Sequence, residues 1–229
     1  MKLLRIDSSA RSRASDGNPH GSHTRRLTER FTRRWLQRRP DDILMSRDVG
    51  RSPPHPVTEK WISAAFTKPE RREPWMTEAL AESDALVEEL IAADLIVAGV
   101  PMYNFGMPAQ LKAYIDNIVR VDRTFGFDRS RPDDPYTALL AGANKRLVVL
   151  GSRGDRGYDP GGPIAHINHV ERAIRDVFAF IGVTEFHSVA VEYDEFGGDQ
   201  LQASITAAER AVDELVDRLI AEAELRQAA

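Results

Sequence analysis

Residues 100–112, VPMYNFGMPAQLK, set Met102, Tyr103 and Phe105 around the amide of Asn104, between Pro101 and Pro108. Apolar and aromatic surface beside an amide suits a flat heteroaromatic ring, which needs stacking partners and edge hydrogen bonds. A plain strand-to-helix corner with Tyr and Phe in the core fits the same composition. A second stretch, DSSARSRASDGNPHGSHTRRL at residues 7–27, is rich in Ser, Gly and Asn and ends in GSHT. Ser22 or Thr24 can cap a helix starting there, and the free amides of its first turn, with nearby hydroxyls and Arg25, can hold a phosphate. A third, GSRGDRGYDPGGP at residues 151–163, is glycine-rich, so backbone can approach a ligand closely, and Arg153 offers positive charge to an anionic ring edge.

What is missing narrows the chemistry. There is no cysteine, which excludes disulfides, thiolate catalysis and cysteine-ligated metals and makes a cytoplasmic setting the default. No Walker lysine pattern and no G-x-G-x-x-G occurs, so a triphosphate or Rossmann dinucleotide site has no support and a monophosphate remains. LGSRG does not supply the G-x-S-x-G of a hydrolase. HINH at 166–169 has helical spacing for a shared metal face but no third ligand, and reads as surface histidines with no metal.

Those loops need elements to position them. Leu3–Asp7, Asp42–Arg47, Asp94–Val100, Arg146–Ser152 and EFHSVAVEY at 185–193 read as strands. Between them lie helical stretches at Thr24–Arg39, Pro74–Ala93, Pro108–Arg120, within Pro163–Gly182, and from about Asp199 to Gln227. Strands alternating with helices require a parallel sheet covered on both faces, because parallel strands need crossover connections. Five such strands predict an α/β, flavodoxin-like, doubly wound five-stranded parallel sheet with helices on both faces. The 229 residues fit one domain, 1–229, with surface excursions at about 50–74 and 121–144. In such a sheet ligands lie beyond the carboxyl ends of the strands, where strand order reverses.

The formal net charge is −4, yet residues 1–39 contain ten arginines and three acids. Leu27, Phe31 and Trp35 recur every four residues, which places most of those arginines on the solvent side of an amphipathic helix and favours a solvated basic face over nucleic-acid binding. The longest uncharged run, 95–111, is broken by Pro101 and Pro108 and carries Asn104 and Gln110, a poor membrane span. Residues 1–10 lack the apolar centre of a signal peptide, being broken by Arg5 and Asp7.

Together the three loops resemble the FMN-dependent NADH:quinone oxidoreductases, the azoreductase family. PMYNF followed by MPAQLKAYID is similar to that family's central motif, and GSRG after a buried strand to its second ring-binding turn. SS after the first strand, SHT before the first helix, RTFGF at 123–127 and FIGV at 180–183 follow in the family's order. The resemblance implies that Ser9, Ser22, His23 and Thr24 surround an FMN phosphate. Pro101, Met102, Tyr103, Asn104 and Phe105 would border the isoalloxazine, with Ser152, Arg153, Gly154 and Asp155 along its polar edge and Phe127 in the substrate pocket. It further implies a ping-pong cycle with NADH or NADPH as donor and a quinone or azo compound as acceptor. A homodimer with sites at the subunit boundary is also implied.

Three departures stand out. The first loop is several residues longer than usual, Asp155 makes SRGD of the family's SRGG, and Phe127 stands where tyrosine is common. Two other readings of the same fold are a flavin-binding electron carrier or redox sensor and a flavin-free interaction module.

Overall fold

In a computed structural model that describes residues 1–12 and 21–228, the chain forms strands β1 (Lys2–Asp7), β2 (Ile43–Asp48), β3 (Leu95–Pro101), β4 (Phe125–Phe127), β5 (Tyr136–Ala138), β6 (Arg146–Ser152) and β7 (Glu185–Val191). Its helices are α1 (His23–Arg38), α2 (Glu59–Ala65), α3 (Pro74–Ala92), α4 (Ala109–Ile118), α5 (Glu171–Phe180) and α6 (Gly198–Ala228). Five strands form one parallel sheet in the order β2-β1-β3-β6-β7, the flavodoxin-like arrangement expected from the alternation of elements.

Every residue of β3 and of β6 is buried, because each lies between two strands in the sheet and between helices on both faces. The side-chain period of two sorts β1 between two cores. Leu4 and Ile6 join Leu86, Leu90, Ile115 and Phe178 under α3, α4 and α5, whereas Leu3 joins Phe31, Trp35, Val212 and Leu219 under α1 and α6. Both excursions carry structure of their own. Residues 50–74 include α2, whose Ala64 and Ala65 pack on Leu80 of α3, and residues 121–144 fold into the β4–β5 hairpin.

The basic face of α1 is not simply solvated, as the sequence alone implied. Arg30 reaches both carboxylate oxygens of Asp213 at 2.8 and 2.7 Å, and Arg34 those of Asp217 at 3.0 and 2.6 Å. Arg26 and Arg38 complete the ladder against Glu209 and Asp217. The four-residue spacing on α1 meets a four-residue spacing of acids on α6, so the charge is consumed within the fold. Asp213→Ala is expected to cost about 1 kcal/mol, or about 2–4 °C in Tm, and thermal melts in 1 M salt should show most of that difference gone.

Candidate functional site

Strand order reverses between β1, which starts the chain, and β3, so the crevice beyond their carboxyl ends is the expected ligand site. A cavity of about 320 Å³ lies there, lined by Ser9, Arg11, Gly21, Ser22, His23, Pro101, Met102, Tyr103, Asn104, Ser152, Gly154, Asp194 and Glu195. Nine residues singled out from the sequence therefore meet in one place, drawn from three separate loops.

At one end, Ser22 is the N-cap of α1 and accepts from the Arg25 amide at 3.3 Å, while its hydroxyl lies 3.0 Å from that of Thr24. The first-turn amides of the helix carry partial positive charge and lack intrahelical acceptors. Ser9 is buried beside them, its hydroxyl accepting from the Arg11 amide at 3.2 Å. Thr24 is buried under the helix rather than on the cavity wall.

At the other end, β3 and β6 leave the sheet at one level. Pro101 is paired with Ser152, and the Met102 amide donates to the Ser152 carbonyl at 2.8 Å. The chain then reverses in a two-residue hairpin. Tyr103 and Gly106 exchange backbone hydrogen bonds of 2.9 and 3.1 Å, with Asn104 at φ 49° and Phe105 at φ 68° between them. Asparagine tolerates that left-handed region, but a bulky aromatic there costs on the order of 1–3 kcal/mol and persists only where surroundings hold it. They do: the His169 amide donates to the Phe105 carbonyl at 3.0 Å, and the Ala10 amide to the Tyr103 hydroxyl at 3.2 Å. The outcome is a rigid turn that presents the Asn104 amide and the faces of Met102 and Tyr103 to the crevice. The Phe105 side chain is half exposed beyond the cavity wall.

Two arginines do other work than the sequence implied. Arg153 is buried, its guanidinium bonded to Glu171 at 2.5 Å, Asp159 at 2.8 Å and Glu192 at 3.1 Å and stacked over Tyr158. Its charge is neutralised behind the turn, so it does not face the cavity, and only its neighbours Ser152 and Gly154 do. Arg25 likewise points away from the phosphate end. It donates to both Asp48 oxygens at 2.6 and 2.8 Å and to the carbonyls of Ser9 and Arg11 at 2.7 and 2.8 Å, clamping the loop that follows β1. Asp155 is half-buried with its carboxylate on the Arg156 amide, and Phe127 packs on Tyr136 in the hairpin, both off the cavity wall. Residues 13–20 of the lengthened first loop lie outside the described residues.

Arg11, Gly21, Asp194 and Glu195 are cavity residues that the sequence did not single out. Asp194 and Glu195 follow β7, an edge strand away from the point where strand order reverses. Their position is set by backbone pairing: the amides of Asp194 and Glu195 donate to the carbonyls of Arg153 at 3.2 Å and Gly154 at 3.0 Å. A Cβ on Gly154 would lie 2.5 Å from the Glu195 carboxyl carbon, so a larger residue there would push the Glu195 side chain aside.

A family profile described as flavodoxin-like fold matches residues 1–216. An FMN-dependent NADH:quinone oxidoreductase 2 of Idiomarina loihiensis is 40% identical over 95% of this chain and 90% of its own length. This chain belongs to the family of flavodoxin-fold FMN-dependent NADH:quinone oxidoreductases. An FMN-dependent NAD(P)H:quinone oxidoreductase 1 of Pseudomonas aeruginosa is 41% identical over 86% of this chain and 93% of its own. Among solved structures, an FMN-dependent NADH-azoreductase of Bacillus anthracis in complex with FMN superposes with a TM-score of 0.81 at 17% identity, covering 95% of this chain and 98% of that one. That likeness is one of fold.

The Arg25 clamp connects stability to the shape of the site. Burial pushes the Asp48 carboxyl up, but hydrogen bonds and charge from Arg25 more than offset it, leaving it below the usual carboxylate range. A lowered folded-state value contributes stability above the unfolded-state value of about 3.9, and that contribution is lost as pH falls through the lower one. Asp48→Asn should therefore melt below the native protein at pH 7, with the gap narrowing below about pH 4. Thermal melts from pH 7 to 2.5 check this.

Proposed function

We propose that this protein is an FMN-dependent NAD(P)H:quinone oxidoreductase that also accepts azo compounds. The observation that carries the reading is a single crevice with two chemically different ends: a capped helix N-terminus with Ser9, Ser22 and His23, and a strained turn offering the Asn104 amide beside Met102 and Tyr103. That donor set fits a phosphorylated flavin, with amides and hydroxyls for the phosphate and apolar faces plus one amide for the ring. When bound, the flavin supplies the electron chemistry, accepting a hydride from a nicotinamide and passing electrons to a quinone or azo acceptor in a second half-reaction.

The chain's own residues position and exclude. Pro101 and the Met102 to Ser152 hydrogen bond fix where β3 leaves the sheet. The hairpin at Tyr103–Gly106 fixes the backbone from which Asn104 projects, so little backbone entropy is lost on binding. Tyr103, tied to the Ala10 amide, bridges the ring end to the phosphate end. No side chain need act as nucleophile.

We infer a homodimer working in the cytoplasm as one domain per chain, in which the aromatic strip of Phe127, Tyr136 and Phe180, exposed by 44%, 50% and 39%, forms part of the substrate pocket. Arg153 and Asp155 would then shape the ring-side turn through its backbone. No helix among the described residues is long and apolar enough to cross a membrane.

The test is anaerobic. Protein purified with FMN and freed of excess should keep a flavin spectrum, lose its visible absorbance within seconds on adding NADH or NADPH, and regain it with a quinone. A retained flavin that neither donor bleaches would leave the electron-carrier reading in its place.

A further inference from the structure

The basic side chains on the cavity wall among the described residues are Arg11 and His23, and both already face a carboxylate of this chain. Asp194 Oδ1 lies 3.1 Å from His23 Nε2, and Asp194 Oδ2 accepts from Arg11 Nη1 at 3.3 Å. Asp194 is itself a cavity residue, and so is Glu195 next to it. The wall thus carries two carboxylates against one guanidinium and one imidazole, at the end where a helix N-terminus and two serines would otherwise favour an anion. The carboxylate is not a loosely placed surface group. Its segment is pinned by the Asp194 and Glu195 amides on the carbonyls of Arg153 and Gly154, and it follows Tyr193, held at φ 68°. The His23 hydrogen bond, helped by Arg11 and against burial, keeps the carboxyl below the usual range, so the charge persists at neutral pH.

We propose that Asp194 is a tethered competitor of the incoming phosphate: it engages Arg11 and His23 itself and thereby sets how strongly the site prefers a phosphorylated over an unphosphorylated flavin. The inference rests on the flavin reading for its ligand, but its physics needs only a phosphate group. A phosphate monoester carries close to two negative charges at neutral pH and must either share Arg11 and His23 with Asp194 or displace it. Either route costs affinity that riboflavin, without the phosphate, does not lose. The opposite role is equally definite: if Asp194 served to hold Arg11 and His23 ready for the phosphate, removing its charge would weaken binding.

The experiment measures dissociation constants of FMN and riboflavin by fluorescence, and of inorganic phosphate by phosphorus NMR line broadening, on the flavin-free full chain and on Asp194→Asn. Asp194→Ser is the second variant, and thermal melts establish that each is folded. We expect the variants to bind FMN and phosphate about three- to tenfold more tightly at low salt, the range of a partly exposed ion pair, with riboflavin unchanged. Unchanged or weaker binding of FMN and phosphate overturns the proposal. Tighter phosphate in the variants with no flavin bound by any protein would uphold the competitor and remove the flavin reading. No phosphate or flavin binding by any of them removes both.

Discussion

The site depends on the register between β3 and β6. Their pairing runs unbroken from Leu95 opposite Arg146 to Pro101 opposite Ser152. Both strands are buried on both faces, so a slip of one residue would exchange every side chain between the two cores. Register is therefore among the best determined features of the molecule, and it delivers the PMYNF turn and the SRGD turn to the same height above the sheet. The hydrogen bond from Met102 to the Ser152 carbonyl is the last rung of that ladder, and the cavity begins one residue beyond it. Function at this edge is inherited from the packing beneath it.

The same dependence explains which parts of the molecule were legible in the sequence. Alternating buried strands and amphipathic helices have periods that side-chain chemistry exposes directly, so the sheet and its two layers could be read within a residue or two at most boundaries. The hairpin in residues 121–144 could not, since Phe125–Phe127 and Tyr136–Ala138 are three-residue strands with no room for a period. Site residues adjoining buried strands were legible for the same reason: a long apolar run ending in Pro, Tyr and Asn marks where the sheet stops and a ligand can start. Asp194 and Glu195 were not, because their place depends on pairing with Arg153 and Gly154, a contact across 40 residues that nothing local announces.

Charge was the least legible property. Residue type marks Arg25 and Arg153 as anion ligands, but geometry turns both inward. A buried guanidinium offers five donors in a fixed fork and costs several kcal/mol to desolvate unless they are occupied. Arg153 sets its two terminal nitrogens against three carboxylates, leaving the buried Nε without a partner, and Arg25 engages Asp48 and two carbonyls, so each becomes a fastener for a loop rather than a ligand. The ladder between α1 and α6 follows the same logic at lower cost, because its members stay partly hydrated. These arginines report on how loops and helices are tied down, and among the described residues Arg11 is the arginine that lines the cavity.

That division of labour bears on why strain is tolerated where it is. Asn104, Phe105 and Tyr193 all adopt left-handed backbone, and all three stand in the loops that wall the crevice. A free loop would relax such residues within the ensemble of its neighbours. Here Ser9 and Arg11 after β1 are fixed by Arg25, the turn after β6 by Arg153, and the PMYNF hairpin by the Ala10 and His169 amides, so relaxation in one would break hydrogen bonds in another. The walls are rigid because they brace one another, and a rigid wall is what a flat cofactor requires, since every ångström of give would be returned as entropy lost on binding.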